Sequence, residues 1–357
     1  ARTINLYFLR RYVVSFISTL TAVFALTYLI DMIEVSRRGS SADISFGVVA
    51  TISALRVPAF IEQAFPFIIL FSSIFTLVSL NRKLELVIVR ASGMSVWQML
   101  APFAFGSFLI GVASVALYNP LASHAQAQSA RLQAEAAGAV TRDDDRSPWL
   151  RQSGGGVNSI IGAKAVADGG ATLGGVTAFI MRDEGVVSER IDADQARLEN
   201  GAWQIENPLV TRVGSPPVRE TLVTLPTTLL PEFIEQRLAN PDAISIWELG
   251  SKIEVARSLG YNADAFAMRY HSLIARPALF VAMTLVAGTV AVRYARIGQS
   301  GVTIVGGIAA GFVLYVVTFL AQALGSNSVI PAVAAAWFPV VAAGLFGTTI
   351  LLHQEDG

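Results

Sequence analysis

The residues of this sequence that could carry out chemistry are few. Its densest acidic run is Asp143, Asp144 and Asp145. An enzyme would need such carboxylates to converge with a nucleophile, a base or a metal. A solvated loop explains the run better, because it lies within the polar stretch TRDDDRSPW.

Other kinds of reactive site are also missing from the sequence. There is no Cys, and the three His residues lie far apart at positions 124, 271 and 353. Disulfides and thiolate chemistry are therefore excluded, and no metal site is expected. No GK[ST] phosphate-binding loop occurs, nor GxGxxG, HExxH, GxSxG or CxxC. We expect no cofactor, and the balanced 26 basic and 26 acidic residues do not favour nucleic-acid binding.

A short mixed-charge segment, 81–95 (NRKLELVIVRASGMS), stands between two long apolar runs. Asn81 is a typical helix N-cap and Gly93 a typical residue for the end of a helix. The spacing predicts a helix over 81–93 with an apolar stripe formed by Leu84, Val87, Ile88 and Ala91. Arg82 and Glu85 lie on the other face, where a local pair between them is the simplest alternative to a contact with a partner.

The elements that position this segment are membrane-spanning. Hydrophobic residues make up 53% of the 357 residues and charged ones 15%, well below the usual ~25% of soluble domains. Six apolar runs are long enough to cross the ~30 Å hydrocarbon core. They are approximately Val13–Ile33, Ala59–Leu80, Val96–Tyr118, Leu273–Tyr294, Val302–Leu324 and Ala332–Leu352.

Between the third and fourth runs the pattern changes to short alternating segments. From Val157 to Leu225 these are punctuated by Gly, Asn and Pro, which is typical of a β-sandwich, jelly roll or barrel. We therefore predict an α-helical membrane protein with six transmembrane helices, three plus three, around an inserted all-β, jellyroll-like domain. Residues 1–125 hold the first three spans, 126–264 the β domain with helical connectors, and 265–357 the last three spans.

The distribution of basic residues predicts the orientation. With both termini in the cytoplasm, the inner face collects most of the basic residues near the spans: Arg2, Arg10, Arg11, Arg82, Lys83, Arg90, Arg293 and Arg296. The β domain then lies outside, in the periplasm of a cell with two membranes. Arg37, Arg38 and Arg56 depart from the rule, either as part of a solvated connector or as contacts to an anionic ligand.

Ionisable residues are nearly absent from the central parts of the spans. Asp31, Glu62, Arg276 and Arg293 lie towards span ends, where we expect their side chains to reach the membrane surface. This does not favour a proton-driven carrier, since carriers of that kind place ionisable residues deep in the membrane.

The sequence resembles the lipopolysaccharide export permease family (LptF/LptG), and the LptG type more than the LptF type. The resemblance covers essentially the whole chain. Its most specific parts are LELVIVRASGMS after the second span and NPDAISIWEL before the fourth, where Asn240 replaces the usual Asp. The three-plus-three split, the β insert and GFVLYVV in the fifth span also match.

The resemblance implies a non-catalytic permease subunit of an ABC transporter in the bacterial inner membrane. Its implied partners are an LptB-like ATPase dimer that binds the ATP, an LptF-like permease and an LptC-like periplasmic or bitopic protein. The complex would extract lipopolysaccharide and pass it to a periplasmic bridge towards the outer membrane. The segment assigned to ATPase coupling comprises Arg82, Leu84, Glu85, Val87, Ile88, Arg90 and Gly93, with Glu85 as the polar contact.

The resemblance also implies where the lipid binds. Arg37, Arg38 and Arg131 are candidates for its phosphates, because guanidinium groups bind phosphate bidentately. Phe179 and Ile180 are candidates for a contact with lipid on a strand of the jellyroll. Asp31 and Glu34 depart from the family pattern, and two acids there would redistribute the headgroup contacts or require a divalent cation. A membrane-anchored enzyme or an assembly scaffold acting through the β domain is the alternative.

Overall fold

The computed structural model describes residues 2–39, 45–137, 149–154, 157–167, 171–181, 187–227, 241–258, 263–297 and 301–356. The chain forms two compact units. The first, called the membrane unit, comprises Ala1–Asp31, Val57–Ser123 and Ile244–Gly357. The second, called the β unit, comprises Met32–Arg56 and His124–Ala243. Asp143, Asp144 and Asp145 lie outside the described residues.

Helices account for most of the membrane unit, and the first, second and fifth of them continue into residues of the β unit. In chain order they are α1 (Arg2–Gly39), α2 (Phe46–Arg82), α3 (Glu85–Ala91), α4 (Val96–Ala113), α5 (Asn119–Ala137), α6 (Ile246–Ser258), α7 (Asp264–Ile297), α8 (Gly301–Ser326) and α9 (Ala332–Asp356). A π-helical segment, Ser114–Tyr118, joins α4 to α5. These three pieces therefore form one continuous third span.

Six helices in the described part of the chain are long and apolar enough to cross a membrane, which confirms the predicted three-plus-three arrangement. They run over Thr3–Arg37, Phe46–Arg82, Val96–Ala130, Asp264–Ala291, Ile304–Ser326 and Ala332–Gln354. A helix satisfies its own backbone hydrogen bonds, as hydrocarbon requires. Prolines such as Pro66 and Pro277 lie inside these helices, as membrane helices tolerate.

A chain of buried hydroxyl groups joins four of the spans. Tyr12 on α1 shares a 2.6 Å hydrogen bond with Ser107 on α4, and Ser107 shares another of 2.6 Å with Thr284 on α7. Ser73 on α2 lies 3.3 Å from the same threonine hydroxyl. Polar side chains inside a bundle hydrogen-bond across helices in this way. The network therefore fixes which helix faces meet.

The β unit is built on one antiparallel sheet. Its strands are β1 (Trp149–Gly154), β2 (Val157–Ala167), β3 (Thr172–Met181), β4 (Val187–Glu199), β5 (Ala202–Glu206), β6 (Leu209–Arg212), β7 (Val218–Arg219) and β8 (Leu222–Pro226). Their order is β1-β2-β3-β4-β5-β8, with β6 pairing β4 and β7. Along the chain, this sheet comes between the third and fourth spans, which confirms the inserted all-β domain.

One face of this sheet forms an apolar core around Trp203, which is fully buried. A buried glutamine, Gln152 on β1, makes hydrogen bonds that connect the first strand of the sheet order with the last. Its Oε1 accepts hydrogen bonds from Trp203 Nε1 at 3.1 Å and from the hydroxyl of Thr227, just after β8, at 2.7 Å. Its Nε2 donates to Ser159 at 3.1 Å. The amide is thus satisfied inside the core, as a buried polar group must be.

The boundary after the β unit differs from the predicted domain end at residue 264. Ile244 and the residues after it belong to the membrane unit. The reason is that α6 buries Leu249 against Phe266 and Leu273 of α7. The segment reads as a polar connector in the sequence, yet its apolar face packs on the fourth span.

Close contact between the third and fourth spans depends on Gly111, whose added Cβ would lie 2.5 Å from the Cα of Pro277. We expect Gly111→Ala to lower the free energy of unfolding by ~1–3 kcal/mol, because backbone must move to accept the methyl group. Thermal unfolding of the protein in detergent measures this.

Gly344→Ala is the matched control, since Gly344 lies in the helix α9 and a Cβ there meets nothing within 4 Å. It should leave stability unchanged or raise it by up to ~1 kcal/mol through helix propensity. Equal effects of the two substitutions would contradict the assigned contact.

Candidate functional site: an exposed helix and a buried charge cluster

The candidate coupling helix is shorter than the sequence predicts. Asn81 is buried in the last turn of α2 and does not cap α3, so that prediction is wrong. The chain turns instead at Leu84, which has a φ of 60°, and α3 begins at Glu85. At the other end Gly93 has a φ of 88° and donates its N–H to the carbonyl of Arg90 at 3.0 Å, as predicted for a helix stop.

The side chain of α3 that packs into the protein is not one of the predicted stripe. Leu86 is buried and belongs to the main core of the membrane unit. Leu84, Val87 and Ile88 are 59%, 47% and 66% exposed. Leu86, which is not part of the predicted stripe, therefore makes the contact with the core. Two large apolar side chains on the helix and one just before it remain uncovered.

The charged residues of this segment border the exposed stripe. The carboxylate of Glu85 lies 3.7 Å from the guanidinium of Arg11 on α1, and both side chains are about one-third exposed. An ion pair of this kind contributes little to stability, about 0–1 kcal/mol. Arg82 is exposed at the end of α2, and Arg90 is half-buried in the last turn of α3. The segment thus combines an apolar centre with a charged border.

A second group of polar residues lies inside the membrane unit. The Glu62 side chain on α2 is 3% exposed, and its Oε1 accepts hydrogen bonds from Arg276 at 2.8 Å and Arg269 at 2.9 Å, both on α7. It accepts a third from Asn119 Nδ2 at 3.0 Å. The prediction that Glu62 and Arg276 reach the membrane surface is therefore wrong, because they pair with each other inside the protein. We call these four residues the charge cluster.

Asn119 extends the charge cluster to α6. Its Oδ1 accepts a 2.8 Å hydrogen bond from the backbone N–H of Ile246, the first residue of that helix. Such an N–H has no partner within its own helix. Sequence reasoning missed Asn119 and Arg269. The Asn-Pro pair at the end of the third span and the seven-residue spacing of the two arginines are the signals in the sequence.

The predicted lipid-binding residues do not all fall on one surface. Arg37 pairs with Glu34 at 2.7 Å, one turn earlier in α1. The side chains of Arg38 and Arg131 lie outside the described residues. Ile180 packs against the apolar core of the β unit, whereas Phe179 lies beside Trp149, with ring centres 5.6 Å apart. The neighbours thus face opposite sides of β3, as strand geometry requires.

Among the described residues, no group of three His, Asp or Glu side chains is placed to hold a metal ion. The main ionisable cluster is a single carboxylate between two arginines.

Comparison with known proteins identifies the family. Residues 6–353 match the family described as "Lipopolysaccharide export system permease LptF/LptG". The curated relatives include the "Lipopolysaccharide export system permease protein LptG" of Escherichia coli strain K12 and of strain O6:H1 (CFT073 / ATCC 700928 / UPEC). Each is 23% identical over 333 residues, covering 91% of this chain and 90% of the relative. This chain therefore belongs to the LptF/LptG family of lipopolysaccharide export system permeases.

Proposed function

We propose that this chain is the LptG-type, non-catalytic permease subunit of an ATP-driven complex that extracts lipopolysaccharide from the inner membrane. The observation that carries the proposal is the exposed apolar stripe at α3, formed by Leu84 just before the helix and by Val87 and Ile88 within it. A permease without a phosphate-binding loop needs an ATPase from another chain. The helix between the second and third spans offers a place for an LptB-like ATPase dimer to dock.

The physical argument for docking at α3 is the cost of leaving its apolar groups in water. Burying a side chain such as Ile88 contributes ~1.5–3 kcal/mol. A charged border around an apolar centre is also the usual anatomy of a protein interface. Glu85 then supplies a polar contact next to Leu84 and Val87, and its weak pairing with Arg11 leaves it able to change partners.

We assign α3 and both termini to the cytoplasm and the β unit to the periplasm. Six spans place the termini on one side, and the loop between the second and third spans lies on that side as well. Basic residues concentrate there, as the positive-inside rule requires. The ATPase and the β unit then act on opposite sides of the membrane, which suits a complex that moves lipid outwards.

An LptF-like permease is the proposed partner within the membrane. The first and fifth spans are the least covered by their own chain: 6% and 17% of the residues in their apolar 18-residue segments are buried, against 61% and 72% in those of the second and fourth. Their apolar surface includes Leu26, Phe312 and Phe319. These two helices are the surfaces on which a second permease would form gates for lipid.

The proposed lipid route leads from the outer ends of the spans to the apolar interior of the β unit and on to an LptC-like protein. Arg37, Arg38 and Arg131 are the proposed phosphate contacts. Because Glu34 holds Arg37, we expect that arginine to exchange its carboxylate partner for phosphate when lipid arrives. Ile180 is the proposed contact for acyl chains.

The docking assignment is tested by Ile88→Asn in a complex assembled with the partner ATPase. We expect binding of the ATPase to weaken by about tenfold or more, because the polar side chain removes the apolar contact. Lipid-stimulated ATP hydrolysis should fall with it. The unfolding temperature of the isolated permease should stay unchanged, since Ile88 is already exposed there.

Two further variants provide the controls. Val213→Asn changes an apolar residue of the β unit that is even more exposed than Ile88, and should leave ATPase binding intact. Leu86→Ala should instead lower the stability of the permease itself by ~2–5 kcal/mol, because that side chain is buried. Full ATPase binding by Ile88→Asn would exclude α3 as the docking helix.

The lipid route is tested with a photo-crosslinking residue placed on β3. In membranes containing lipopolysaccharide and the whole complex, position 180 should capture lipid when ATP is supplied, and position 179 should not. The reason is that Ile180 faces the apolar core, while Phe179 faces Trp149. Capture at position 179 alone would place the lipid on the opposite face of the sheet.

A further inference from the structure

Two residues of the charge cluster, and the backbone N–H held by Asn119, lie close in sequence to points where the chain passes from one unit to the other. Between the β unit and the membrane unit, the chain crosses at residues 56–57, 123–124 and 243–244, in addition to a crossing within α1. Glu62, Asn119 and Ile246 each lie within five residues of one of these three crossings, on the membrane-unit side. Hydrogen bonds through Asn119 join all three.

A further hydrogen bond joins residues close to two of these crossings. The hydroxyl of Tyr118 donates to the backbone carbonyl of Pro58 at 3.0 Å. The second span, the third span and the start of α6 are therefore held together at one place, and Arg269 and Arg276 attach the fourth span to it. All of these contacts lie within the membrane unit.

The burial of the charge cluster limits how far the helices that carry it can move separately. A carboxylate and two guanidinium groups in a low-dielectric interior are stable only while paired, and loss of one partner leaves an uncompensated charge. Sliding the fourth span along the second by part of a turn would separate Glu62 from its arginines. We therefore expect the helices carrying the cluster to move together.

We propose that Glu62 is a positioning residue of the transport reaction, which through Asn119 holds the third span and the start of α6 in register with the second and fourth spans. The inference rests on the proposed function, and gives it a link between movement in the membrane and delivery of lipid. If this link is broken, we expect one specific defect in lipid transport. ATP is still hydrolysed and lipid still stimulates hydrolysis, but less lipid reaches the β unit for each ATP consumed.

Asn119→Leu is the principal test, because it removes both amide hydrogen bonds and leaves the Glu62 pairs with Arg269 and Arg276 in place. In the whole complex, with the crosslinker at position 180, we expect lipid captured per ATP hydrolysed to fall by about fivefold or more, a usual size for coupling between sites. Glu62→Gln should have the same effect where it folds. Glu248→Gln, which alters an exposed carboxylate on the same helix α6, should match the unsubstituted protein.

Two results would overturn the inference. One is a wild-type capture ratio in Asn119→Leu. The other is a parallel fall in ATP hydrolysis and capture, which would indicate a purely structural role. If the unsubstituted complex shows no lipid-stimulated hydrolysis and no capture, the proposed function itself fails.

A second measurement needs neither partner nor lipid. In the isolated permease, Asn119→Leu should speed hydrogen exchange over residues 246–249 at the start of α6, while the fourth span keeps its protection. Unchanged exchange over 246–249 would show that Asn119 does not hold α6, and would overturn the inference independently of transport.

Discussion

The membrane part of this protein depends on one requirement, that an ionised group inside an apolar interior be matched by partners. Glu62 meets it by accepting three hydrogen bonds on one carboxylate oxygen. The donors come from two other spans, so the requirement specifies which helices are neighbours and at what height. Apolar packing alone would leave that height less defined, because hydrocarbon side chains are similar to the lipid around them. The hydroxyl network through Ser107 and Thr284 acts in the same way elsewhere in the bundle.

The surfaces left uncovered explain why this chain acts as a subunit. The second and fourth spans are largely buried, whereas the first and fifth contribute little of their surface to the core. The exposed stripe of α3 lies on the segment that joins the second and third spans, where the proposed function places the partner ATPase. A membrane-anchored enzyme acting through the β unit would leave this stripe without a role.

The sequence predicted the spans, the inserted sheet and the position of Gly93, because each leaves a local signal. Long apolar runs, alternating strands and a glycine at a helix end are all read within a few residues. The start of α3 was not predictable in this way, since Leu84 adopts a left-handed conformation that its residue type does not favour. The predicted stripe omitted the buried side chain of Leu86, because a seven-residue helix has too few turns to define a face.

The charge cluster was missed for a different reason. Glu62 and Arg276 lie 214 residues apart in sequence, and either alone looks like a side chain near a span end. Only the packing of the second span on the fourth brings them together. A single sequence can show that a charged residue lies in a membrane helix, where burying its charge is costly. Which residue pairs with it is determined by the fold.

The same fold connects the two places on which the proposed function depends. Leu86 of α3 belongs to one continuous apolar core with Leu77, Phe65 and Phe280. Phe65 lies one turn from Glu62 on α2, and Phe280 lies one turn from Arg276 on α7. One apolar core therefore extends from Leu86 to within one turn of the charge cluster on both α2 and α7. Under the proposed function, this packing would carry movement of α3 towards the cluster, and the paired charges would resist partial displacement.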